Sequence, residues 1–402
     1  MREEVELRSP RDPGEEKVWH SFMHYAFEPE KPEEQWWERM RKIRQTEAQE
    51  KLGWYRGDEL IATCGLIPFR SRLRGGRIPV GGITAVATPP ENRFRGHARS
   101  MLRELLVLMR DRGIYTSALW PFYTGFYAAM GWAVSAEYCR FKFTVEDMRR
   151  LTSDFTMNRE FEKFAGDDAS PLNRVYSAWA EGYDLSVERG ENWWQTRVLT
   201  LWDRKPYVYL CRDSSGAPAG YIVYFIEGDW KTRSLVVEEM AYTDLDTYRA
   251  MLRYVAGHVS QVKEYVVTVP SADPLWDWHL SGEVARRRGI MFRITDVRRA
   301  LEALPCPESV SGAITVSVTD DFASWNEGTF RLEMEGGAVS LASGGGEPDL
   351  EIDIGALSRL YCGYRSIDQL LANGSVRSAR SEVRDTLARV FPPRNIYMME
   401  EF

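Results

Sequence analysis

The stretch from Gly81 to Trp132 constrains this chain more than any other. A short apolar strand, Ile83-Thr84-Ala85-Val86-Ala87, leads into a basic turn that contains glycine, Asn92-Arg93-Phe94-Arg95-Gly96-His97-Ala98. An amphipathic helix follows, with Ala98, Met101, Leu102, Leu105 and Met109 at helical spacing and Arg99, Arg103 and Glu104 off that stripe. Gly113 stops it. Then come a second strand, Tyr115 to Trp120, and an aromatic turn, Pro121-Phe122-Tyr123-Thr124-Gly125-Phe126-Tyr127-Ala128-Ala129-Met130-Gly131-Trp132. A helix N-terminus has unpaired N–H groups and partial positive charge, so it receives an anion such as a pyrophosphate. Gly96 lets the backbone approach closely, and Arg93 and Arg95 add charge-assisted hydrogen bonds. No Gly-Lys-Ser/Thr ends the turn, which excludes a P-loop, and the three-glycine spacing of a dinucleotide fold is missing. Taken alone, the turn also reads as an ordinary basic cap on a surface helix.

The pattern recurs in weaker form. Strands are expected at Tyr207 to Cys211, Ala219 to Ile226 and Leu235 to Thr243, then a helix capped by Asp244, then a strand at Tyr265 to Val269. This repeats the order of residues 58 to 120, where Asp58 to Arg70 and Arg72 to Val80 read as a hairpin. The second copy carries Asp244 and Asp246 where the first has arginines, and acids at a helix N-terminus repel a phosphate. Between the copies, Asp154 to Trp202 reads as helical. Helices are also expected at Glu15 to Tyr25 and around Trp36, Trp37 and Met40. From Ile294 onward alternating strands (Ala313 to Val318, Gly328 to Met334, Val339 to Ala342, Leu350 to Ile354) precede three helical runs.

At 402 residues, two or three domains are expected, and 44% apolar content supports packed cores. A net charge of −7 argues against a nucleic-acid binder and suits cationic substrates. Five singly scattered cysteines argue against a disulfide framework. The charged start and the lack of a long apolar run lead to the expectation of a cytoplasmic enzyme without a membrane partner. His20 and His24 have metal-compatible spacing, yet no third ligand lies nearby, so no metal is assigned.

The turn Arg93-x-Arg95-Gly96-x-Ala98 after an apolar strand resembles the acetyl-CoA turn of GNAT-type N-acetyltransferases. With Val86-Ala87 and Gly125-Phe126-Tyr127-Ala128-Ala129-Met130-Gly131-Trp132, the resemblance narrows to the enhanced-intracellular-survival (Eis) family and covers essentially the whole chain. The loop through Pro89-Pro90 and Glu91 is longer than the family pattern, and Phe94 stands where many relatives have arginine. The resemblance implies a mixed α/β (α+β) architecture. Its parts are a GNAT domain over residues 1–150, a degenerate GNAT-like domain over 151–293, and a sterol-carrier-protein-like α+β domain over 294–402. It makes Tyr127 the general acid and the terminal carboxylate of Phe402 the general base. It also implies a cofactor site for acetyl-CoA at Thr84, Ala85, Val86, Arg93, Phe94, Arg95, Gly96, His97, Ala98, Arg99, Phe122 and Tyr123. A homo-oligomer, a hexamer, is expected on the same ground.

The chemistry is coherent. An alkylamine with a pKa of about 10.4 must lose a proton, and a thiolate leaving group with a pKa of about 8.5 must gain one. A tyrosine supplies the second proton. A carboxylate with a pKa of about 3.5 is a useful base only when desolvated, which the Phe402 side chain favours, or crowded by acids such as Glu400 and Glu401. The acceptor is expected to be a primary amine on a cationic small molecule, aminoglycoside-like, or a lysine side chain, drawn in part by Glu401. Glu28 and Trp36 either line an amine pocket or belong to a helical packing face. The readings from other classes are a lipid or ligand carrier built on the C-terminal domain and a CoA-binding protein without turnover.

Overall fold

The computed structural model describes residues 5–44, 49–200, 204–278, 283–343, 347–376 and 381–400. They form two compact units. One holds the described residues up to Ser135, Ile290–Arg394 and Glu400; the other holds Ala136–Gly289 and Asn395–Met399.

The first unit is built on a mixed sheet. Its strands are β1 (Val5–Arg8), β2 (Glu50–Arg56), β3 (Glu59–Leu73), β4 (Gly76–Ala87), β5 (Thr116–Leu119) and β6 (Ala133–Val134). A strand from far along the chain, Met291–Ile294, inserts between β5 and β6. β3 and β4 are a hairpin whose two-residue turn, Arg74-Gly75, has positive φ at both positions (50° and 78°), as the twist of paired strands requires. β4 runs unbroken where the sequence suggested two pieces. Gly81 lies in its middle because a Cβ there would come within 2.8 Å of the Met109 thioether. The glycine thereby lets helix α3 (His97–Asp111) pack directly on the sheet, after α1 (Pro13–Phe27) and α2 (Glu33–Arg44). Met101, Leu102, Leu105, Leu106 and Met109 on the buried face of α3 are fully inaccessible and share a core with Leu66, Ile83 and Trp132. Each such side chain contributes about 1.5–3 kcal/mol by leaving water.

The C-terminal part of this unit is a four-stranded sheet in the order Ala338–Ser343, Gly328–Glu335, Gly312–Thr319, Leu350–Asp353, antiparallel except for its last pair. The three helices Ile354–Tyr361, Ile367–Ala372 and Ser381–Val390 follow. Asp353 and Ser366 cap the first two through their side chains. Both parts of the unit meet at a buried ion pair, Arg293 to Asp320 at 2.5 Å, with Arg293 also donating to the carbonyl of Met130. Asp320 accepts further from Asn326 and the N–H of Ala323. Arg293→Ala strands this carboxylate, and we expect a loss of about 3–5 kcal/mol in chemical denaturation; a loss under 1 kcal/mol contradicts that role.

The second unit has a seven-stranded sheet in the order Glu283–Arg288, Glu137–Thr144, Glu264–Pro270, Ser234–Tyr242, Pro218–Glu227, Tyr207–Arg212, Glu160–Lys163. Sheet membership departs from the expected borders at two strands. Glu137–Thr144 lies in this second sheet, and Met291–Ile294 lies in the first. Alternation says that a segment is a strand and not which sheet receives it. The stretch expected to be helical from Asp154 to Trp202 is also more broken. It holds the edge strand Glu160–Lys163, the helix Ser170–Trp179 and short turns. Gly166, Pro171, Gly182 and Gly190 punctuate it. Among the described residues all five cysteines are buried free thiols, and no helix is long and apolar enough to cross a membrane.

Candidate active site

β4 and β5 pair in parallel from Val80–Thr116 to Ile83–Leu119, and the pairing ends there. β4 continues to Ala87, paired on its other side with β3. Within that extension the register slips between Thr63 and Gly65, so that Ala85 and Val86 face Cys64 alone. Ala85 sits at φ +57°, rare for a residue with a Cβ, and Thr63 Oγ1 donates to its carbonyl at 2.9 Å. The bulge takes Ala85 and Val86 out of the regular β3–β4 ladder, just past the point where β4 and β5 part. Sequence reasoning named Thr84, Ala85 and Val86 and missed the bulge, because nothing in an alanine signals a left-handed backbone.

The gap opens into a cleft of about 610 Å³. Val86, Ala87 and Thr88 form one wall, and Arg93, Gly96, His97, Ala98 and Arg99 another. Tyr25, Phe27, Phe94, Phe122 and Phe126 also line it. The N-terminus of α3 faces this space. Its cap is Gly96 at φ +80°, no side chain satisfies the first N–H groups, and the first turn carries no acid. These features fit an anion such as a pyrophosphate. Phe94, also left-handed at φ +61°, is fully exposed, as is the neighbouring Arg95 side of the turn. Arg93 donates through Nε to the Thr88 carbonyl at 2.8 Å, which folds the longer loop back as a 3₁₀ turn over Pro90–Asn92. Arg99 donates to the Ala129 carbonyl at 3.1 Å and lies over the Phe322 ring, so its main offering to an anion is its N–H. Burial first, then the charges of Arg56 and Arg95, lower the His97 pKa.

Tyr127 lies on a short helix, α4 (Thr124–Ala128), and is 3% exposed. Its ring is edge-on to Phe122, Phe126 and Trp132, with centroids 5.3, 5.0 and 6.2 Å away. Burial, with a smaller contribution from Cys64, raises the phenol pKa, so it holds its proton at working pH. Phe122 and Tyr123 are about two-thirds exposed, and of the two Phe122 lines the cleft. The loop after β5 has a second role. The Trp120 indole N–H donates to the carbonyl of Glu400 at 2.7 Å, so the last described residue lies beside the end of β5.

Of the remaining expected residues, Trp36 is 4% exposed in a core cluster with Trp19, Met23 and Met40, which is the packing role. Glu28 pairs with Lys31 at 2.7 Å. His20 is edge-on to Trp37, and His24 bonds to the Lys31 carbonyl. Glu401 and Phe402 lie outside the described residues. In the second unit the helix Leu245–Ala256 is closed to anions. Asp244 occupies the cap and accepts from Thr247, Asp246 sits in the first turn, and Arg159 neutralises Asp244.

Residues 8–135 and 185–294 each match a family model described as an acetyltransferase (GNAT) domain, and residues 297–399 match a sterol carrier protein domain. An uncharacterised N-acetyltransferase of Streptomyces avermitilis is 24% identical over 350 residues, 83% of this chain and 85% of its own. The N-acetyltransferase Eis of Mycobacterium tuberculosis is 25% identical over 361 residues, 83% of this chain and 84% of its own. A solved structure of a probable N-acyltransferase from Enterococcus faecalis superposes with a TM-score of 0.87 at 20% identity, over 99% of this chain and all of that one.

Proposed function

The chain belongs to the Eis-like GNAT acetyltransferases, with two GNAT domains in tandem before a sterol-carrier-like domain, and from this premise we propose its acceptor and mechanism. Acetyl-CoA is the donor and supplies an activated acetyl thioester. The acceptor we assign is a primary amine on a cationic small molecule, aminoglycoside-like, or a lysine side chain. The negative net charge of the chain favours such substrates.

The N–H groups of His97, Ala98 and Arg99, with Arg93 and Arg95, hold the pyrophosphate. The bulged backbone at Ala85–Val86 donates to the thioester carbonyl oxygen. Tyr127 protonates the departing thiolate, and the α-carboxylate of Phe402 takes the proton of the amine. One observation carries this reading. The loop that follows β5 touches the Tyr127 ring through Phe122 and, through Trp120, the carbonyl of Glu400, two residues before Phe402 in the chain. The transfer we propose is direct: Cys64, near the phenol, is fully buried, and that burial raises its pKa, which does not suit a covalent nucleophile.

An acceptor screen tests the substrate class. Aminoglycosides, polyamines and lysine peptides should release thiol with acetyl-CoA and become acetylated, while neutral alcohols should not. Loss of that preference removes the cationic-amine assignment. Ala98→Asp puts an acid at the helix position that Asp246 occupies in the second unit. We expect KM for acetyl-CoA to rise on the order of tenfold with little change in kcat, and calorimetry on the unaltered chain to find one acetyl-CoA per chain. An unchanged KM would remove α3 from the donor site. The likeness to the Eis relatives also underlies the expectation of a homo-oligomer, a hexamer, which light scattering of the purified protein checks.

A further inference from the structure

In the second unit, Ser234–Tyr242 and Glu264–Pro270 repeat the arrangement of β4 and β5. They pair in parallel from Ser234–Glu264 to Val237–Val267, and the pairing ends there. Beyond that point the two cases diverge. The first unit has an open cleft. In the second, the gap past Val237 and Val267 has only about 10 Å³ left. Tyr397 and Met399, from the segment Asn395–Met399, line that remnant with Glu239, Thr268 and Trp179.

The segment is held at both backbone and side chain. The Asp184 N–H donates to the Asn395 carbonyl at 2.8 Å, and the Tyr397 N–H donates to the Asp184 carbonyl at 2.9 Å. The Tyr397 ring stands edge-on to Trp179 at 4.8 Å. Its hydroxyl donates to Glu239 Oε2 at 2.8 Å. Glu239 is itself fixed by a two-pronged bond from Arg189, at 2.7 and 2.5 Å, and by the Tyr221 hydroxyl at 2.5 Å. The Arg189 side chain is 2% exposed and lies over the Tyr176 ring at 3.8 Å. A charge-assisted network this buried is rigid when fully paired. Three residues after Tyr397 comes Glu400, whose carbonyl takes the Trp120 indole N–H.

We propose that the second acetyltransferase-like unit has exchanged cofactor binding for gripping the chain's own carboxyl-terminal segment. In this arrangement Tyr397, clamped by Glu239, is a positioning residue for the residues that follow it. The claim that this matters for catalysis rests on the reading of the Phe402 carboxylate as base. The grip itself does not.

Tyr397→Phe is the informative variant. The ring stays, Glu239 keeps Arg189 and Tyr221, and only the clamp hydroxyl is lost. The first readout is trimming of the full-length protein by carboxypeptidase, which does not depend on catalysis. We expect trimming of the last residues to speed up about tenfold, the low end for a hydrogen bond to a charged group. Unchanged trimming overturns the grip. The second readout is steady-state kinetics: kcat should fall about tenfold with KM for acetyl-CoA unchanged and the unfolding midpoint of the protein retained. Faster trimming with an unchanged kcat overturns the positioning role, provided residues appended after Phe402 still suppress turnover. If appended residues are harmless too, the base assignment fails, and the trimming result still decides the grip.

Discussion

With the Phe402 carboxylate as the proposed base, two extra residues after Phe402 are expected to lower kcat by about 10²–10⁴, the range for losing a positioned general base. The extension converts the terminal carboxylate into an amide and moves the new terminus out of place. An alkylamine near pKa 10.4 is then left almost wholly protonated at neutral pH. KM for acetyl-CoA stays the same, because α3 and its turn are untouched. The loss shrinks as pH rises towards the amine pKa, where free amine no longer needs a base. Turnover of the extended chain at the unaltered rate across the pH range would remove the carboxylate from the mechanism.

With Tyr127 as the proposed acid, Tyr127→Phe is expected to lower kcat by a comparable factor, about 10²–10⁴, for the other proton. Only the hydroxyl is lost; the edge-on contacts to Phe122, Phe126 and Trp132 remain, so folding and acetyl-CoA binding persist. A natural thiol leaves as a thiolate of pKa about 8.5 and benefits from a proton. A donor with a more acidic thiol benefits less, and the variant loses correspondingly less on it. An equal loss with both donors would assign Tyr127 to packing. The buried phenol pKa is raised, so the alkaline limb of the wild-type profile should fall only at strongly alkaline pH.

How much of this is legible in the sequence depends on whether the information is local. The α3 turn is legible because glycine, arginine and the helical stripe lie within one short run; that Gly96 caps the helix at positive φ comes from the structure. The sterol-carrier-like strands and capped helices are legible for the same reason. The exchange of Glu137–Thr144 and Met291–Ile294 between sheets is not, since partner choice is a long-range matter. Trp36 had two open roles, and only tertiary packing selects the core. Ala85 carries no sign of its bulge, which Thr63 stabilises from the neighbouring strand. The clamp on Tyr397 joins residues 158 positions apart in the chain, beyond the reach of any spacing argument.

A mixing experiment tests whether the acetyl group passes directly between two substrates held together. The protein is mixed first with acetyl-CoA alone and then with a cationic amine, while free thiol is followed. With direct transfer, no thiol appears before the amine arrives, and steady release matched by acetylated product follows. A burst of thiol equal to the protein before any amine is present, or none with any amine, would contradict it.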